Sequence, residues 1–279
     1  MRKPSLSHKS SGALLIGFVS IWLLLAGNAS AESPPKGVLA LRQGGYAYAD
    51  YPGVFDDIGV EGITIEVWFY LTAIPSEWRE LWVLVEKTDS YSLGIRGRQS
   101  TPPFLDPPGT IHLRGRIVAQ RGNNTGGSST HTSFDPGDPP LERWIHVAWQ
   151  LSREGITNKA FFIDGESGPG GKTTVEVKPS PGPLFIGGKE SGERIRGWID
   201  EVRISNLWRY SPGKMFTPKE RFRNDQHTIA LWHFDEGPWA RQYEDSSGNG
   251  YTLFSGGTLP VDRRKELATA WGRFRDIER

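Results

Sequence analysis

The sequence predicts an all-β fold in which two antiparallel sheets pack face to face. Three observations carry that expectation. Apolar and polar residues alternate with period two in many short runs. Those runs are punctuated by Gly and Pro, with 34 Gly and 20 Pro in 279 residues. No helical periodicity develops before residue 263. Short strands at this rhythm suit a sandwich whose inner faces share one core.

Taken in order, the chain opens as a secretory signal. Arg2, Lys3 and Lys9 make a basic start, residues 13–26 an apolar run, and Ala29-Ser30-Ala31 a small-residue cleavage site. The apolar run is short for a bilayer, so an uncleaved anchor is the alternative. Nothing later is long and apolar enough for a membrane helix, so no transmembrane segment is expected once the signal is cleaved. The expected organisation is a signal over 1–31, one domain over 32–258 and an amphipathic tail over 259–279. The expected location is outside the cell or on its surface, with the periplasm as an alternative.

Residues 38–41 and 46–49 read as short strands around the turn signal Gly44-Gly45. Residues 63–71 (ITIEVWFYL) make the clearest strand, with Ile63, Ile65, Val67, Phe69 and Leu71 on one face. Thr64, Glu66, Trp68 and Tyr70 take the other. Strands over 81–86 and 91–96 follow, joined by a turn at Thr88-Asp89-Ser90. The run 111–120 alternates too, with Gly115 as a candidate bulge. Two long connections, 97–109 and 122–140, are rich in Pro, Gly, Ser and Asn, and connections of that length are either functional or mobile. Further strands are expected around 144–149, 161–163, 173–177 and 184–186, with a stiff turn at 179–183.

The stretch 198–205 places Trp198, Val202 and Ile204 on one face and Glu201 and Arg203 on the other. Asp200 breaks the apolar face. An inward carboxylate needs backbone donors, a nearby Arg or a structural cation. Residues 228–234 read as a closing strand, with a truncated second repeat as the alternative, and Asp245-Ser246-Ser247-Gly248-Asn249-Gly250 as a turn. Leu267, Ala270, Trp271, Phe274 and Ile277 fall at helical spacing in the tail.

Several of these segments resemble a known family. Gly187-Gly188, a hydrophilic connection and Gly197-Trp198-Ile199-Asp200-Glu201-Val202-Arg203-Ile204-Ser205 resemble the closing strands of laminin-G-like jelly rolls. These belong to the concanavalin A-like lectin/glucanase sandwiches. Trp144-Ile145-His146-Val147-Ala148-Trp149 resembles the W-x-H-V-A strand, Phe161-Phe162-Ile163-Asp164-Gly165 the strand and turn that follow it, and 63–71 the F-T-I-E-x-W-V strand. The resemblance, closest to secreted bacterial members, implies a jelly roll. The fold hosts many activities, so it does not by itself name one.

Charge and composition narrow the function. The chain holds 33 Lys and Arg against 32 Asp and Glu; three of the basic residues and none of the acids lie in 1–31. The remainder is slightly acidic, which argues against a nucleic-acid partner. With no cysteine, disulfides, thiolate metal sites and cysteine nucleophiles are excluded. Glucanases of the wider fold resemble one another in a strand with E-x-D-x-x-E or E-x-D-x-E, which sets its carboxylates on one face. No such triplet occurs here, and the six histidines form no metal-binding helix pattern. A non-catalytic binding module is therefore expected, with carbohydrate or an extracellular protein as partner. A purely structural surface module and a glycan-cleaving enzyme are the alternatives.

Sugars are gripped by aromatic faces and polar loop groups. The candidate ligand contacts are therefore the outward aromatics Trp68, Tyr70 and Phe162, with Asn123 and Asn124 of the glycosylation-type sequence Asn123-Asn124-Thr125 in the long loop. The resemblance also implies a calcium ion at the rim of some relatives, fed by an early acidic loop. Here that place reads Gln43-Gly44-Gly45-Tyr46-Ala47-Tyr48-Ala49 and lacks the acids. No cofactor is expected, apart from a structural calcium as one of the alternatives for Asp200.

Overall fold

The computed structural model describes residues 37–257, apart from 42–44, 57–60, 104, 122–123, 136, 155 and 190–193. The expected signal and the tail helix lie outside the described residues. The strands in chain order are β1 (Leu39–Ala40), β2 (Tyr46–Ala49), β3 (Ile63–Leu71), β4 (Leu81–Lys87) and β5 (Tyr91–Arg96). Next come β6 (His112–Arg121), β7 (Asn124–Ser133), β8 (Trp144–Glu154), β9 (Ile156–Ile163) and β10 (Glu166–Thr173). The last are β11 (Leu184–Ile186), β12 (Gly197–Ser205), β13 (Thr228–Trp232), β14 (Gln242–Tyr243) and β15 (Leu253–Gly256). They form two antiparallel sheets. Sheet A runs β1–β12–β3–β8–β9–β10 with β13 also against β12; sheet B runs β14–β15–β2–β11–β4–β5–β6–β7. No helix among the described residues is long and apolar enough to cross a membrane.

The core is the set of inward alternate positions. Ile63, Ile65, Val67, Phe69 and Leu71 of β3 are fully buried, as are Ile145, Val147, Trp149 and Leu151 of β8. From sheet B they meet Tyr91, Leu93 and Ile95 of β5 and Leu113 and Ile117 of β6. Burying each large apolar side chain is worth about 1.5–3 kcal/mol, and this repeated inward face is what holds the sheets together.

Four local expectations are corrected. Gly115 is no bulge: it pairs in unbroken register with Leu93 and Thr130. Its missing side chain makes room for the Trp149 indole, which a Cβ would meet at 2.3 Å. The connection 122–140 is not all loop, because Asn124–Ser133 pairs along the length of β6 as an edge strand. The strand expected at 173–177 lies earlier, at β10, where a register shift between Ser167 and Gly170 accommodates Pro169. The fourth concerns β12. Ile199 pairs with Phe69 and Val202 with Val67, so Asp200 and Glu201 together stand opposite Trp68 alone. This β-bulge resets the alternation. Ile199, Val202 and Ile204 face the core, while Trp198 packs on the outer face with Val38 and Ala40.

Residues 228–256 close the sandwich: β13 extends sheet A at β12, and β15 joins sheet B at β2. Trp232, Phe234, Tyr243 and Leu253 are buried in the common core.

Between β12 and β13, residues 206–223 cross the outer face of sheet A as a strap. The polar side chains of that face hold its backbone. Thr64 Oγ1 donates to Leu207 O at 2.6 Å, Tyr210 N donates to Gln150 Oε1 at 2.7 Å, and Trp68 Nε1 donates to Lys219 O at 2.9 Å. At the Asp164-Gly165 turn between β9 and β10 both residues have positive φ, and Phe216 N donates to Gly165 O at 3.0 Å. A Cβ on Gly165 would meet Phe216 O at 1.8 Å, so glycine is required there on two counts.

Candidate functional site

Beneath the strap lies a charged cluster built on β3, β8 and β12. Glu66 is fully buried and takes Arg203 Nε at 2.7 Å and the Tyr210 hydroxyl at 2.5 Å. His146 Nε2 stands 3.6 Å from Glu66, beyond hydrogen-bond length, and its ring is enclosed by Trp68, Phe216 and Phe222. Burial pushes the Glu66 carboxyl up, but His146, Arg203 and Tyr210 outweigh it and hold it below the ordinary glutamate range. Glu66 itself has no exposed surface, and its bonds to Arg203 and Tyr210 fasten the strap to the sheet.

Beside the strap the sheet face opens. Trp68, Trp144, Asp200 and Glu220 line a cleft of about 330 Å³. Trp144 enters from the first position of β8, where Ile145 faces the core and forces its neighbour outward. Tyr70 supports it: its ring centroid lies 5.7 Å from Trp144 and 4.6 Å from Trp198. Glu220 comes from the strap and also lines a larger neighbouring cleft of about 830 Å³ with Arg203, Tyr210 and Phe222.

Asp200 reaches this cleft because of the bulge. The expectation that it points into the core is overturned: it is half-buried on the outer face, and among the described residues nothing donates a hydrogen bond to it. Burial, then the nearby charges of Glu201 and Asp235, push its carboxyl up to about 7. Its bulge partner Glu201 is better held, by His233 Nδ1 at 2.7 Å and the Phe222 amide at 3.0 Å. Among the described residues no group of three or more His, Asp or Glu stands close enough to hold a metal ion.

The other candidates fall as follows. Trp68 lines the cleft, and Tyr70 stands behind it as support. Phe162 is outward by alternation but completely buried, under Tyr210 and Phe216 of the strap at ring distances of 5.5 and 5.6 Å. It is therefore no ligand platform. Asn123 lies outside the described residues, and Asn124 opens β7 on sheet B, apart from the cleft. Two cleft residues were not foreseen. Trp144 carried a usable signal, since it precedes the inward Ile145. Glu220 carried none, because it arrives on a segment without periodicity.

A two-sheet sandwich with aromatic and acidic groups gathered on one outer face has the build of a lectin-like domain. The chain belongs to the concanavalin A-like lectin/glucanases superfamily, whose family model matches residues 43–209. No curated protein matches it significantly in sequence. Among solved structures it is similar to a candidate carbohydrate-binding protein from Bacteroides ovatus, at 15% identity and a TM-score of 0.48. That likeness covers 77% of this chain and 58% of the other, so the chain spans less than two thirds of that protein's length. It is also similar to the native heptameric SAP-like pentraxin of Limulus polyphemus, at 14% identity and a TM-score of 0.40, covering 63% of this chain and 72% of that one. The botulinum neurotoxin type G receptor-binding domain shares 13% identity at a TM-score of 0.36, over 56% of this chain and 36% of the toxin domain.

Proposed function

We propose that this chain is an exported, non-catalytic module that binds carbohydrate in the cleft of Trp68, Trp144, Asp200 and Glu220. The observation that carries this reading is the convergence of two indoles and two carboxylates on one open face. An indole offers a flat apolar surface to the C–H face of a pyranose, and carboxylates accept hydrogen bonds from its hydroxyls. The cleft's volume suits one or two sugar units, and the superfamily includes lectins, which supports the same reading. Export is inferred from the signal-like start, and an N-terminus at Glu32 on the mature protein checks it.

Titration calorimetry against the best ligands from a glycan array tests the binding. Trp144→Ala is expected to weaken affinity about tenfold, the equivalent of ~1.4 kcal/mol. Absence of any saturable sugar binding would instead favour a structural surface module. A second reading has its own support: a carboxyl raised to about 7 sharing an aromatic cleft with a second acid is also the pairing a glycosidase uses. Release of reducing sugar that disappears in Asp200→Asn and Glu220→Gln would establish that reading over simple binding.

A further inference from the structure

The opposite face of the molecule carries a second arrangement, legible only in the register of sheet B. Phe254 of β15 stands opposite Tyr48 of β2, which stands opposite Phe185 of β11. The same cross-strand row continues through Glu86 of β4 and Ser92 of β5 to Arg116 of β6. Neighbours in such a row share a face, and here it is the outer one, since Leu253, Leu184 and Ile117 beside them point into the core. Six adjacent strands at about 4.8 Å make a track about 24 Å long.

The track has two chemically different ends. At one, the three rings lie together, with centroids 6.1 Å apart for Tyr48 and Phe254 and 6.5 Å for Tyr48 and Phe185, and Phe254 is 36% exposed. At the other, Arg116, Arg114 and Arg96 share the outer face with His131, which pairs with Arg114. Trp78 bounds this end, with the Arg96 guanidinium 5.4 Å from its ring. The acids nearby are committed elsewhere: Glu86 to Lys189 at 2.7 Å and Asp106 to His112 at 2.7 Å. The field at the basic end is positive. Burial and then Arg96 and Arg116 push Arg114 down to about 10, while burial and then Arg114, His112 and Arg96 push His131 down to about 4.

We propose that this face binds an acidic polysaccharide laid across the strands, with its sugar rings against Phe254, Tyr48 and Phe185 and a carboxylate or sulfate at Arg116, to which Arg114, whose Nε and Nη2 donate to Ser129 Oγ at 3.2 and 3.0 Å, adds positive charge. Guanidinium groups match such oxyanions by paired N–H donors, and the neighbouring rings supply the stacking surface that a bare anion site lacks. A nucleic acid would need a longer run of cations than one end of one row provides. The proposal stands apart from the sheet A cleft, so either site can fail without the other.

The probes are polygalacturonate for carboxylate, dextran sulfate for sulfate and unmodified dextran as the neutral control, with a single-stranded oligonucleotide as the competing polyanion. Affinity electrophoresis of the full exported chain should show retention by one or both acidic polymers and none by dextran, weakening as salt is raised. Arg116→Gln and Phe254→Ala should each reduce that affinity at least fivefold without lowering the melting temperature. Lys214→Gln, which removes an equal charge from the strap on the opposite sheet, should leave it unchanged. If Arg116→Gln unfolds the protein, Phe254→Ala together with Arg116→Lys decides the matter, because Lys keeps the charge and loses the fork. No retention by either acidic polymer, equal retention of the oligonucleotide, or full binding by Phe254→Ala would overturn the proposal.

Discussion

Replacing Asp200 with Asn isolates the one carboxyl that the β12 bulge leaves in the cleft without a donor. The folded chain holds the Asp200 proton up to about pH 7, whereas the unfolded chain releases it near 3.8. Between those values the folded state binds more protons, so this group's contribution falls as pH rises through the window and is at its worst above 7. The full span is worth at most about 4 kcal/mol at ~1.4 kcal/mol per unit, and water entering the cleft reduces it to about 1–2 kcal/mol. Asn keeps the shape and carries no charge. Asp200→Asn should therefore match wild type near pH 3.5 and exceed it by about 1–2 kcal/mol at pH 8. Urea unfolding of both proteins at half-unit pH steps measures the difference directly. A gap that stays flat across pH, or wild type being the more stable at pH 8, would show that Asp200 is ionised in comfort. The bulge would then not leave it poorly solvated. Added calcium provides a further check, since stabilisation of wild type alone would mean that Asp200 holds a cation.

Glu66→Gln breaks the buried pair with Arg203 and should cost about 3–5 kcal/mol in chemical unfolding, with new protease cutting within 206–223 as the strap loosens. Because the Glu66 carboxyl is held below its ordinary value, its contribution is present above pH 4.5 and disappears as pH falls through the folded value; in Glu66→Gln that acid sensitivity should be smaller. Gly115→Ala should destabilise by about 1–3 kcal/mol, read as a drop in melting temperature, because its methyl enters the space of the Trp149 indole. Truncation before Thr228 removes β13, β14 and β15 and should leave an insoluble or dye-binding molten product; cooperative melting near the full-length temperature would contradict their place in the core.

The strand 63–71 could be read residue by residue, because its alternation is unbroken and each inward position is apolar. The same rule failed on the strand paired beside it, β12: at 200–201 an extra residue shifts the phase, and nothing in the composition of Trp198-Ile199-Asp200-Glu201-Val202 marks where. Phe162 shows a different limit. Its direction was legible, but an outward side chain is open to solvent only if nothing crosses above it, and residues 206–223 cross it without any period of their own. β7 escaped notice because NTGGSSTHTS has no apolar face. As an edge strand it takes its order from the hydrogen bonds of β6. Glu220 could be placed only by the fold, since it joins Asp200 from a separate segment.

The chain order of the pairings has a kinetic consequence. β3 occupies one edge of β12, so β1 and β13 must divide the other, while β2 lies between β11 and β15. Both sheets thus wait on the same late segment, and pairs such as Tyr48 with Phe254 join residues far apart along the chain. Contacts so distant along the chain form slowly. Until residue 256 has emerged, the second half of β12 and one side of β2 present open hydrogen-bonding edges next to unfilled core. A nascent chain is therefore most prone to clump before residue 256 has emerged. A holding chaperone that shields those two edges should raise its yield more than one that acts on the earlier strands.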